Sequence, residues 1–204
     1  MRQETGKTNS PNSGYKVSIQ QSLDGHSFSV PALPETDGGV LEVEVLTLRT
    51  QLVPAAYFSA EHAAELLAAA GLAPGVDETV VWSDPQAEVV AVMALPRALR
   101  ERIESKFRQV SYTTPLLESP AAPTAKSVWL YRVGTLLYIK VMTAERQLAL
   151  AEVIPAPEEP DIRYFLERLA AAFPLQEYTL QAAGENPKRL CKQFGRLFKK
   201  TTCA

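Results

Sequence analysis

The chain is poor in the residues that build most metal and redox sites. Its 204 residues contain two cysteines and two histidines. Cys191 and Cys203 lie near one end, and His26 and His62 are far apart in the first third, so no zinc-ligand spacing exists. No disulfide framework is expected, and a cytoplasmic, reducing setting is the simplest reading. No apolar run approaches the ~20 residues that cross a bilayer as a helix. The opening MRQETGKTNSPNSG has no apolar stretch of the signal-peptide kind, and its Ser, Asn, Thr and Gly content predicts a disordered tail over 1–14. Neither sign of charge dominates: 21 Lys and Arg stand against 23 Asp and Glu, a net −2. That balance excludes a global pull toward nucleic acid or anionic membrane. No Ser or Cys sits in a nucleophile-elbow pattern, so hydrolase chemistry has no support.

What is present is ordinary for a globular protein, 46% apolar and 22% charged, with enough length for one sizeable core or two small ones. The stretch KVSIQQSLDGHSFSV alternates apolar and polar residues on both sides of Asp24-Gly25, the strongest short-range hairpin signal. It predicts strands over about 16–22 and 26–31. Val40 to Val53 alternates again as one long third strand. Ser59 is placed to cap a helix running to Ala70, stopped by Gly71. Strands at 79–82 and 88–95 flank a Ser83-Asp84-Pro85-Gln86 turn. Pro96 then opens a helix with Leu99, Ile103, Phe107 and Val110 on one face.

SPAAPTAK, over 119–126, is the one internal linker, and the pattern restarts after it. Strands are expected at 127–133, 136–141 and 147–154, then a helix from Pro160 with Ile162, Phe165, Leu166, Leu169 and Phe173 as its stripe. A short strand at 177–181 and a last helix capped by Asn186 and Pro187 complete the chain. Each half reads as three strands, a helix, a strand and a helix, with an extra strand in the first. This predicts an α/β protein of two tandem ribonuclease H-like lobes, each a mixed sheet flanked by helices, over 15–118 and 127–204.

The segments SIQQSLDGHSFSV, LVPAAYF and VVWSDPQAEVVAVMALP, with VWLYRVGTLLYIKV and DIRYFLERLAAAF in the second half, resemble the domain-of-unknown-function 3822 family of Bacteroidetes. The resemblance spans roughly 15–200 and implies an actin-like fold, similar in layout to pilus-assembly and secretion-system actin-like proteins. Fold alone supplies no activity. In actin-like ATPases the first hairpin of each lobe holds phosphate and magnesium with an acid and a glycine. Here Asp24 and Gly25 stand at that place in the first half, while Tyr131 to Leu136 offers Gly134 without an acid. The adenosine-binding turn has one candidate glycine, Gly184.

The expectation is therefore a non-enzymatic scaffold or adaptor working through an unidentified protein partner, with no cofactor and no nucleic acid. An ATP-binding switch, with weak ATP and magnesium binding at Asp24, Gly25 and Gly184, is the alternative. A divalent-metal nuclease built on Asp24, Glu61 or Glu65, and Asp84 stands third. His26 and His62 are not expected to act as catalytic partners. Lys188, Arg189, Lys192, Arg196, Lys199 and Lys200 form a basic face opposite a Leu/Cys/Phe stripe. The stripe is expected to dock on the lobe's own sheet, leaving those six side chains to face solvent or an acidic partner. Gly195 in this helix is expected to mark close packing.

Overall fold

The computed structural model describes residues 14–22, 27–33, 39–118 and 125–203. The expected tail, the turn carrying Asp24, Gly25 and His26, and most of the 119–126 linker lie outside these residues.

The second half follows its sequence pattern up to the last helix, which ends at Phe194 without a side-chain cap bond from Asn186 and is followed by a strand the pattern did not predict. Strands β8 (Ser127–Val133), β9 (Leu136–Met142) and β10 (Leu148–Pro155) form an antiparallel meander. Helix α3 (Glu159–Ala172) crosses to β11 (Thr179–Gly184), which runs parallel to β8. Helix α4 (Pro187–Phe194) then crosses to β12 (Lys200–Cys203), parallel to β11. The resulting order, β10-β9-β8-β11-β12, is a ribonuclease H-like sheet. The helix starts on a capping box between Glu158 and Asp161 rather than at Pro160 itself. Ile162, Leu166 and Leu169 of α3, with Leu190 and Phe194 of α4, pack on Val128, Leu130, Leu137 and Ile139 from one sheet face. The expected stripes are those observed, because 3.6-residue and two-residue periods meet on one surface.

The first half departs from its pattern. Strand β1 (Tyr15–Gln21) pairs antiparallel with a two-residue β2 (Phe28–Ser29), so the second arm of the hairpin is shorter than expected. The long third strand is two. β3 (Val40–Leu46) runs parallel to β1, and β4 (Thr50–Pro54) joins a different sheet. The break sits at Thr47, whose hydroxyl donates to Gln21 Oε1 at 2.9 Å while Leu48 N donates to the same oxygen. Thr50 Oγ1 donates back to the Thr47 carbonyl, closing the corner. Apolar alternation runs through this corner, so periodicity alone could not see it.

Helix α1 (Ala63–Ala69) is shorter than expected and is preceded by a 3-10 turn over Ala60–His62. The Ser59 side chain makes no cap bond there, contrary to expectation, and Gly71 at φ 76° ends the helix. Strands β5 (Glu78–Trp82) and β6 (Val89–Pro96) meet as anticipated, and α2 (Arg97–Lys106) follows Pro96. Val110 does not continue the helix face. It lies in β7 (Gln109–Thr113), which pairs parallel with β3. The sheets are β2-β1-β3-β7 and β4-β6-β5. Between them Ile19, Leu41 and Val43 meet Met93, Leu95 and Ile103, while Val92 and Ala94 on the far side of β6 meet Leu67 of α1.

Cys191 and Cys203 are joined, with Cα atoms 6.5 Å apart, contrary to the expectation of unpaired thiols. The reason is β12, which returns the chain beside α4. Gly195 makes the return possible: a Cβ there would lie 2.7 Å from Thr201 Cγ2. All four β12 residues are exposed, so burial does not hold this strand. The bond closes a sequence separation of 12 residues, for which chain entropy gives about 3 kcal/mol. Replacing both cysteines by serine is expected to lower urea-unfolding stability by about 2–3 kcal/mol. It should also raise amide exchange over 200–203 ahead of β11. Unchanged exchange there would show that the bond does not hold the strand.

Candidate functional site

Strands β8 and β9 of the second-lobe sheet are buried on both faces. Trp129 and Tyr131 of β8, Leu136 and Tyr138 of β9, and Val153 of β10 point away from the helices. Leu46 at the end of β3 and Leu116 of a 3-10 turn over Pro115–Leu117 pack on them from the first lobe, with Leu48 and Leu52 at the rim. Trp129 stacks on Tyr131 at 5.5 Å between ring centroids, and Tyr138 meets Tyr131 edge-on.

Polar groups collect beside this cluster. Lys140, on the same face of β9, is 8% exposed and donates to the carbonyls of Leu116 and Glu118. Its ammonium also sits 4.4 Å from the Trp129 ring centroid. Burial pulls its pKa down to about 8, against a smaller opposing pull from Glu118. Glu44, 7% exposed, accepts from Ser18 Oγ at 2.6 Å, and Lys16 bridges Glu42 at 3.0 Å. Burial and then the Glu44 charge raise the Glu118 carboxyl, and the same two causes in the same order raise the Tyr138 hydroxyl. Sequence reading passed over Lys140. The available signal was a single lysine inside LLYIKVM, an apolar run too continuous for a one-sided strand.

Of the nucleotide candidates, Asp24 and Gly25 lie outside the described residues. Gly184 ends β11 at φ 81°, and a Cβ on it would lie 2.2 Å from the Arg132 carbonyl oxygen. Glu185 N donates to that same oxygen at 2.7 Å, and Arg132 Nη2 donates to the Pro157 carbonyl. The turn after β11 therefore lies against the last residues of β8. Gly134, at φ 53°, meets the Gln20 side chain of β1 where a Cβ would stand. The second-lobe hairpin tip thus touches the first lobe, and no carboxylate occurs within it.

Of the nuclease candidates, Asp24 lies outside the described residues. Glu65 is exposed and pairs with His62 at 2.9 Å, Glu61 is exposed in the preceding turn, and Asp84 Oδ1 accepts from Gln86 N within its own turn. Among the described residues no group of three His, Cys, Asp or Glu side chains is placed to hold a metal ion. A cavity of about 550 Å³ is an open groove between α2, the β5–β6 turn and β7. Arg100 and Tyr112 both donate to Glu104 there, at 2.8 and 3.1 Å. The six cations of the C-terminal region are all exposed, and only Arg189 has an ion-pair partner among the described residues, Glu159. No helix among the described residues is long and apolar enough to cross a membrane.

Two measurements probe the junction. Trp129→Ala is expected to cost about 3–5 kcal/mol in chemical unfolding, as for a large aromatic lost from a core; a loss below ~1 kcal/mol would mean the lobes do not share a core. Lys140 has a folded pKa below its unfolded value of 10.5. As pH rises from about 8 the unfolded chain therefore holds the extra proton, and stability rises. The gain is lost as pH falls back through the folded pKa. The raised Tyr112 and Tyr138 hydroxyls oppose it once pH passes 10.0. Between pH 8 and about 9.5 the urea midpoint should rise for the parent and stay flatter for Lys140→Met.

No family model matches the chain, and no curated protein matches it. Among solved structures it is similar to a Bacteroides thetaiotaomicron protein with an actin-like ATPase fold and unknown function. That match has a TM-score of 0.67 and 14% identity, and covers 92% of this chain and 89% of that one. The cytoplasmic domain of EpsL, an inner membrane component of the type II secretion system of Vibrio cholerae, aligns at a TM-score of 0.38 and 15% identity over 82% of this chain and 80% of that one. The first likeness shows the fold: the chain has an actin-like ATPase fold built from two lobes, each with mixed strands flanked by helices.

Proposed function

We propose that this protein is a non-catalytic scaffold or adaptor that uses an actin-like fold for protein–protein contacts. Its lobes divide at 119–126, and its kinship is with the domain 3822 family. The observation that supports this reading is the apolar cluster of Leu46, Leu116, Trp129, Leu136, Tyr138 and Val153 between the lobes. An ATP switch works by lobes that open and close around nucleotide, and separating these side chains would return a core to water. At ~25 cal/mol per Å² of apolar surface, exposing several large side chains costs many kcal/mol. Lys140 adds to that cost, since opening would strip its two carbonyl acceptors.

The alternative, an ATP-binding switch at Asp24, Gly25 and Gly184, draws on the contact between the Gly184 turn and the end of β8. That contact sets a positive-φ glycine beside the second hairpin, as an adenosine turn would require. A cytoplasmic location belongs to the same adaptor reading. A bonded Cys191–Cys203 pair is uncommon in a reducing compartment, so thiol alkylation in fresh lysate is a direct check on it.

Thermal unfolding with saturating ATP and magnesium separates the two functional readings. The adaptor reading expects a melting temperature unchanged within error. A rise that Asp24→Ala abolishes would overturn it in favour of the switch, because ligand binding to the folded state must stabilise it.

A further inference from the structure

One sheet edge combines exposure, charge and covalent support. β12 ends the second-lobe sheet and, among the described residues, pairs only with β11. Its four residues are exposed, yet the disulfide ties Cys203 to Cys191 of α4. A strand that buries no side chain is thus held in register with its outer edge facing solvent. Alternation sets Thr201 and Cys203 toward α4 and Gly195, as the disulfide and the Gly195–Thr201 contact require. Lys200 and Thr202 point to the opposite face.

The charge around this edge has one sign. From Pro187 to Cys203 the chain contains no acidic residue. Lys188, Lys192, Arg196, Lys199 and Lys200 are exposed and have no salt-bridge partner among the described residues. Leu190, Phe194 and Phe198 are buried in the lobe. No large hydrophobic side chain of this segment is among the exposed ones, so it has neither an apolar wedge for a membrane nor an open aromatic platform for nucleic-acid bases. Lysines on an edge strand deter pairing with neutral or basic strands. The same lysines favour one kind of strand, an acidic one.

We propose that the β12 edge, with Lys192, Lys199 and Lys200 beside it, docks an extended acidic segment of a partner protein as a sixth strand of the sheet. Backbone hydrogen bonds to the open edge supply the pairing, and carboxylates at adjacent positions, which point to opposite faces, meet Lys200 on one face and Lys192 on the other. This rests on the adaptor reading and names its contact surface.

The test uses the full chain with its disulfide intact and a fluorescent peptide of about eight residues in which adjacent Glu pairs are separated by single Val residues, so that carboxylates lie on both faces, long enough for an average strand, followed by anisotropy at low salt. Saturable binding is expected, weakened about tenfold or more by Lys192→Glu combined with Lys200→Glu, a change of ~1.4 kcal/mol. Both sites are exposed, so the double variant should melt like the parent. The same peptide with alternate backbone nitrogens methylated should not bind, since it cannot form the ladder. Equal binding of the methylated peptide, equal binding of a Lys/Val peptide, or no binding of the acidic peptide would overturn the proposal. Tighter binding of oligothymidylate or of phosphatidylserine vesicles would overturn it as well. Those failures leave the melting temperature with ATP unaffected, so they are distinguishable from a failure of the adaptor reading itself.

Discussion

The structure depends on one constraint: strands β8 and β9 are buried on both faces. Their helix side is covered from within the second lobe by Ile162, Leu166, Leu190 and Phe194. Their other side has no helix of its own, and its aromatic residues need the first lobe to leave water. A ribonuclease H-like unit with one bare apolar face would expose a patch that soluble proteins avoid. The first lobe supplies the cover with Leu46 and Leu116, residues at the end of β3 and just beyond β7. Lobe association is in this sense part of folding.

That constraint shapes what the fold can do. The space between the lobes holds stacked rings and a lysine whose ammonium is held by two backbone carbonyls and an indole face. Buried groups of this kind are costly to leave unpaired, which favours a rigid relation between lobes. The exposed surface with the clearest chemical character is the basic edge formed by α4 and β12.

Much of the second lobe was legible in the sequence. The α3 stripe, the meander and the amphipathic α4 follow from local periods, and each local preference agrees with the final packing. The first lobe was less legible. Alternation across 40–53 continues through the Thr47 corner, so one strand was expected where two sheets meet. Val110 falls at helical spacing from Phe107 and was assigned to a helix face, although β3 recruits it into β7. Parallel pairing of β1 with β3 leaves no local mark, since both orientations share the two-residue period. Of the candidate site, the glycines and the basic cluster were visible, whereas Lys140 and Glu44 acquired their character only from what covers them.

The sequence by itself determined the α/β class, the helix stripes, the near-neutral overall charge and the basic segment after Pro187, because these depend on residue type and short-range spacing. Only the tertiary structure decided that the lobes share a core, that Lys140 is buried with a lowered pKa, and that β12 is an open edge tied to α4. Those properties arise between residues distant in the chain. Burial and dielectric are set by whichever surface arrives to exclude water, and local pattern does not record which surface that is.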